Sequence, residues 1–138
     1  MLVNHVPTLT DFDLRRLDAL FERIRRQVSP PPTLSVLERE LGRAVVVPPE
    51  QVPKSVVTMN SRVVVLDLDT QEQRELTLVF PSLANIEAGL VSILAPLGTA
   101  LLGSHEGHEL SWSTPRGQRR LRVVRVVYQP EAAGRFDL

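Results

Sequence analysis

The chain has 138 residues, 43% apolar and 23% charged, with 16 basic against 16 acidic side chains and no cysteine. These proportions fit one globular domain with an appendage. They exclude a disulfide framework, a thiolate nucleophile and cysteine-based zinc sites, and they leave no net charge to draw the chain onto nucleic acid or a membrane. No apolar run approaches the roughly 18 residues of a bilayer span, and Met1 to Thr10 lacks the basic flank and cleavage site of a leader, so the sequence reads as cytoplasmic with no membrane partner.

From Thr10 to Ala44 the apolar residues recur at helical spacing. Leu14, Leu17, Phe21, Ile24 and Val28 alternate by three and four, and Leu34, Leu37, Leu41 and Ala44 do the same after a break. Thr10 followed by Asp13 has capping-box spacing, with Asp11 and Asp13 complementing the helix dipole. Ser29-Pro30-Pro31-Pro32 cannot continue a helix, and Thr33 or Ser35 is placed to cap the next one, near residues 33 to 44. The reading is an αα-hairpin whose two seams face each other, a stubby projection too short to be stable without leaning on the rest of the protein. The proline-rich stretch 45 to 54 reads as an extended connector and a domain boundary, giving parts 1–44 and 45–138.

After the connector the period becomes two. Strands are predicted at Arg62 to Leu68 and Arg74 to Phe80, joined by the polar turn Asp69 to Gln73, then at Leu90 to Leu94. Pro96 opens a short helix over Leu97 to Leu102 that Gly103 closes. Glu109 to Ser113, the turn Thr114 to Gly117 and the run Gln118 to Tyr128 form a second hairpin, and the fold class is α+β.

The sequence offers no nucleophile, base or metal cluster in a catalytic arrangement, so no catalytic residues, no metal site and no cofactor are expected. His5 is isolated, and the i, i+3 spacing of His105 and His108 in a polar turn does not serve zinc. Asp67 and Asp69 read as turn formers whose side chains bond nearby backbone N–H groups. The densest charge is Arg116, Arg119, Arg120, Arg122 and Arg125, a possible basic patch. Strict alternation puts Arg119 and Arg125 on one face with Leu121 and Val123, and Arg120 and Arg122 on the other. These arginines either solvate a hairpin edge or meet phosphate or an acidic partner. Trp112 and Tyr128 read as core, so DNA contact is expected to be indirect or weak.

The stretch Leu90 to Gly103, then Glu106-Gly107-His108-Glu109 and Thr114-Pro115-Arg116-Gly117, resembles the C-terminal domain of the Gre transcript-cleavage factors. Val56 to Val63 and the tail Val127 to Gly134 resemble the Rnk family of Gre-related regulators of nucleoside diphosphate kinase. The resemblance implies a short N-terminal antiparallel coiled coil followed by an FKBP-like antiparallel sheet domain with a short helix. It also implies binding to bacterial RNA polymerase core at the rim of its secondary channel, with any effect on nucleoside diphosphate kinase acting through transcription.

Gre factors carry acidic residues at the tip of a long coiled coil to hold a magnesium ion, whereas the tip here, Gln27, Val28, Ser29 and Pro30, has no carboxylate. Cleavage stimulation is therefore expected to be absent. The Gre turn that contacts polymerase places polar residues before its proline; here Leu94 and Ala95 precede Pro96, so Leu94, Ala95, Pro96, Leu97 and Gly98 either dock through apolar area or only pack the domain. The expectation is a non-enzymatic transcription regulator that binds polymerase and competes with Gre-type factors, as a monomer with a dimer as the alternative. Its rivals are a nucleic-acid-binding module using the arginine hairpin, and an FKBP-like prolyl isomerase, which the scarcity of aromatic residues disfavours.

Overall fold

The structure, a computed structural model, describes residues 6–27 and 29–138. Strand β1 (Thr8–Thr10) runs straight into helix α1 (Asp11–Arg25). Thr10 is extended, and its hydroxyl accepts the Asp13 N–H at 3.0 Å, which is half of the expected capping box. The other half does not form. The Asp13 carboxylate turns into the protein instead, accepting the Met59 N–H at 3.0 Å and the Arg16 guanidinium at 2.6 Å.

Helix α2 (Thr33–Gly42) follows the proline run, ending two residues earlier than its apolar spacing suggested. Neither Thr33 nor Ser35 caps it. The Leu34 N–H is already bonded to the Pro31 carbonyl at 3.1 Å, and Pro32 holds the N-cap position without a side-chain bond. The Thr33 hydroxyl is thus available for a tertiary contact, and it donates to the Leu94 carbonyl at 2.5 Å. Strand β2 (Val45–Val47) then lies parallel to β1, Thr8 opposite Val45, so the first residues of the supposed connector close the base of the hairpin. The Thr8 N–H in turn donates to the Gly103 carbonyl at 3.2 Å.

The two helical seams do not form a core of their own. Leu17, Phe21, Ile24, Leu34, Leu37 and Leu41 are buried in one cluster with Met59, Val63, Leu101 and Val123 of the following segments. Leu20 is buried and Leu14 only partly so, because α1 buries a face wider than an a/d stripe. The hairpin therefore lies against the sheet with the start of α2 bonded to it, rather than projecting as a stub.

The remaining elements are β3 (Arg62–Asp67), β4 (Gln73–Val79), β5 (Leu90–Ser92), helix α3 (Pro96–Leu101), β6 (Glu109–Thr114) and β7 (Gly117–Tyr128), with the five strands ordered β5-β4-β3-β7-β6. The fold is α+β, but the sheet is not wholly antiparallel: β5 runs parallel to β4, with Thr77 opposite Leu90. The reason lies in 80–89, where two single-turn 3-10 helices, Pro81–Leu83 and Ile86–Ala88, carry the chain back before it re-enters the sheet. Two register shifts in the β3/β7 ladder leave Val124 and Val127 as extra residues in β7. Each bulge reverses the in–out alternation, so Arg125 points to solvent rather than sharing the face of Leu121 and Val123.

Candidate functional site

The turn between β5 and α3 is built by its own backbone. The Ser92 hydroxyl accepts the Leu94 N–H at 3.0 Å and the Ser92 carbonyl accepts the Ala95 N–H at 3.0 Å. Thr99 closes it from the helix side, its hydroxyl donating to the Ile93 carbonyl at 2.9 Å. Pro96 stands at the first helical position, where its missing N–H costs nothing, and is the exposed member of the turn. Leu94, Ala95 and Leu97 are half-buried, and Gly98 is buried, because a Cβ there would lie 2.0 Å from the Ser92 carbonyl oxygen. The sequence-predicted set therefore divides into a presented part, Leu94 to Leu97, and a glycine that permits close approach.

Beside this turn α2, α3 and β6 enclose an apolar groove of about 280 Å³. Val36 and Leu37 of α2, Pro96 and Ala100 of α3, and Trp112 of β6 line it. A second hollow of about 180 Å³ lies beyond Trp112, between Leu97 and the sheet residues Val65, Leu76, Arg119 and Leu121. Trp112 is thus half-buried wall between two cavities rather than interior core, a role that strand alternation alone does not reveal.

At the far end of α1, Gln27, Ser29 and Pro30 are exposed, while Val28 lies outside the described residues. The carboxylates nearest this tip are held by one guanidinium: Arg25 bonds Glu22 at 2.8 Å and also Glu38 across the hairpin. The basic patch is likewise matched from within. Arg119 pairs with Asp67, Arg120 with Asp69 at 3.2 Å and Arg122 with Glu109 at 2.9 Å; Arg116 stands exposed on the β6–β7 turn. Burial opposes ionisation of Asp67, but the N–H groups of Thr70 and Asp69 and the Arg119 guanidinium outweigh it and hold the carboxyl below its usual range. Asp67 also behaves as the predicted turn former, one oxygen accepting the Asp69 and Thr70 N–H groups at 2.9 and 3.1 Å. The rings of His105 and His108 lie 3.4 Å apart between centroids, His5 is outside the described residues, and among the described residues no three side chains gather as metal ligands.

A buried polar junction escaped the sequence reading. The Thr58 hydroxyl donates to Glu131 at 2.7 Å and lies 2.8 Å from the Ser61 hydroxyl, while Asp13 holds the neighbouring Met59 N–H. Gln129 donates to the carbonyls of Pro53 and Val56 at 2.7 and 2.8 Å. Burial raises the carboxyl pKa of Asp13 against the pull of the Met59 N–H and Arg16. Burial also raises that of Glu131, opposed by the Thr58 hydroxyl and reinforced by the Asp13 charge. The two stretches that carry the Rnk resemblance, Val56 to Val63 and Val127 to Gly134, are thus packed against each other with the hairpin locked onto them.

Residues 52–128 match the family described as "Transcription elongation factor, GreA/GreB, C-term", and residues 8–47 match that described as "Rnk N-terminus". The chain is 40% identical over 131 residues to "Regulator of nucleoside diphosphate kinase" of Escherichia coli K12, covering 94% of this chain and 95% of that protein. It is 39% identical over 90 residues to "Transcription elongation factor GreA" of Desulfotalea psychrophila, covering 65% of this chain and 56% of that one. Among solved structures, "Prokaryotic transcription elongation factor GreA/GreB from Nitrosomonas europaea" superposes with a TM-score of 0.75 at 41% identity, covering 88% of this chain and 99% of that one. Among the described residues no helix is long and apolar enough to cross a membrane. With residues 52–128 and 8–47 both matched by family models and 94% of the chain aligned with a curated relative, the chain belongs to the GreA/GreB transcription elongation factor family, in the branch that carries an Rnk N-terminus.

Proposed function

We propose that this chain is a non-enzymatic regulator that docks on bacterial RNA polymerase near its secondary channel through the Leu94 to Leu97 turn. There it competes with Gre-type factors without stimulating transcript cleavage. In this reading residues 1–44 are a truncated coiled coil and residues 45–138 an FKBP-like domain. The observation that carries it is the hydrogen bond from Thr33, at the tip end of α2, to Leu94 in that turn. Helices of 15 and 10 residues, about 22 and 15 Å long, folded back onto their own domain, have no reach into a channel, and the tip offers no carboxylate to hold an ion there. What the chain retains is a shaped apolar docking turn, and a protein that docks without reaching in blocks others from docking.

The arginine hairpin supports nucleic-acid binding poorly, since Arg119, Arg120 and Arg122 each have an intramolecular carboxylate. The test is cleavage of backtracked transcription complexes by a Gre factor with increasing amounts of this protein. Cleavage slows as the protein saturates polymerase, the protein alone produces none, and Leu94→Asp loses the effect. Unchanged cleavage at saturating protein would refute competition.

A further inference from the structure

Where α1, the loop before β3 and the tail after β7 meet, the protein buries two carboxylates against one cation. Asp13 is 0% exposed and Glu131 8%, and the side-chain charges that act on Glu131 are those of Asp13 and Arg16. Arg16 does not serve this pair alone, since its guanidinium also donates to the Leu138 carbonyl at 2.7 Å. Among the described residues the neighbouring elements bring no compensating charge. The loop contributes the Thr58 and Ser61 hydroxyls, and β7 runs out through Tyr128 into the uncharged Gln129. Arg62 of β3 is exposed and paired with Glu75 at 3.3 Å, and Arg135 and Asp137 of the tail are exposed and bonded to each other at 3.0 Å. With both carboxylates ionised the junction holds an unbalanced buried negative charge, which the folded chain avoids by keeping a proton.

The hydrogen bonds decide which group keeps it. Both oxygens of Asp13 are taken by N–H donors, Arg16 on Oδ1 and Met59 on Oδ2, a set that suits a carboxylate. Glu131 takes one side-chain hydrogen bond, from the Thr58 hydroxyl to Oε1 at 2.7 Å, which a neutral carboxyl oxygen accepts too. Asp13 is sealed, whereas Glu131 lies at the margin, where its side chain can turn out to water once it is charged. The tail around it is a single turn, held by the Ala133 N–H on the Gln129 carbonyl at 3.1 Å and the Arg135 N–H on the Pro130 carbonyl at 2.8 Å.

We propose that Glu131 is a proton-operated catch. With its proton on, it holds the tail turn against the Thr58–Ser61 loop; as the proton leaves, the side chain swings out and the turn lifts. The loop that carries the Met59 N–H to Asp13 then loses its outer support. The hairpin, still strapped at β1 and β2, sits on a looser floor at higher pH.

The test uses the full chain and NMR. The Glu131 side-chain carboxyl carbon should titrate well above the range of an ordinary glutamate, a reading that needs no variant; titration at or below that range would overturn the proposal. Hydrogen-exchange protection of the Thr58 and Arg135 amides, corrected for the intrinsic effect of pH, should fall by up to about tenfold per pH unit as that proton leaves. Throughout, it should stay below that of the β3 amides, the mark of a local opening. Glu131→Gln keeps an oxygen for Thr58 on a neutral side chain, so it should match wild type at low pH and exceed it in protection once wild-type Glu131 has ionised. A glutamine variant with the pH slope of wild type would overturn the assignment to Glu131. Equal protection at Thr58 and in β3 would mean that the junction opens only when the whole chain unfolds, and would overturn the catch.

Discussion

Replacing Asp13 by alanine removes the acceptor of the Met59 N–H and one partner of Arg16 in a position of 0% exposure. The Met59 amide, itself fully buried, then has no acceptor, which costs about 1–3 kcal/mol. Arg16 suffers less. Its side chain is 27% exposed, it keeps the Leu138 carbonyl at 2.7 Å, and it stacks on Phe12 and Phe80 with its guanidinium 4.2 and 4.9 Å from the ring centres. The small void left by the carboxylate adds to the cost, for a total of about 3 kcal/mol. For a chain of this length that lowers the melting temperature by about 10 °C. Asp13→Asn retains an oxygen for Met59 but turns an amide toward Arg16, and should cost about 1 kcal/mol.

The acidity works in a definite direction. Because burial raises the Asp13 pKa above its value of 3.8 in the open chain, its contribution to stability is full below that pH and declines as pH rises through the folded value. The penalty of Asp13→Asn relative to wild type therefore shrinks from pH 4 toward neutrality. Urea unfolding at several pH values, with hydrogen exchange at the Met59 amide, measures both effects. An alanine variant within 0.5 kcal/mol of wild type, or an asparagine variant as unstable as alanine, would refute the role given to this junction.

Gly98→Ala drives a methyl into the Ser92 carbonyl, both positions being backbone, and should cost roughly 3 kcal/mol with loss of polymerase binding; thermal melting and co-migration assays read the two effects. Thr33→Val should cost about 1 kcal/mol in urea unfolding, the net worth of one partly buried hydrogen bond. Asp67 titrates the opposite way from Asp13. With its pKa lowered, its contribution is present above the open-chain value and fades as pH falls through the folded one, so Asp67→Asn and wild type should converge in stability in strong acid. Binding to free duplex DNA should be weak, with a log–log salt slope shallower than about −2, because three arginines of the patch are internally paired.

The elements whose pattern is local were legible in the sequence. Pro96 and Gly103 bracket α3 because proline fits the first helical position and Gly103 sits at φ +79°, and Asp67 turns the β3–β4 loop through its own carboxylate. What was not legible depends on long-range choices. A three-residue parallel strand such as β2 has no period of its own, and Val45 and Val46 remain exposed. The direction of β5 is set by the path through 80–89, and the face of Arg125 by a bulge one residue away. Thr33 was read as a cap because caps are local, whereas its hydroxyl reaches Leu94 across 61 positions of sequence. The turn between β5 and α3 follows from local signals, the proline and the glycine around it, but the groove beside it required knowing where the hairpin lies.

The ribbon of β1 and β2 has a mechanical consequence. A lever needs one fixed end and one free end, yet this hairpin is fastened at its base by paired strands and near its tip by Thr33. It cannot swing. Any signal passing through it must take the form of local melting, in which the tip releases first and the strapped base last, so the hairpin behaves as a clasp that is open or shut rather than as an arm that points.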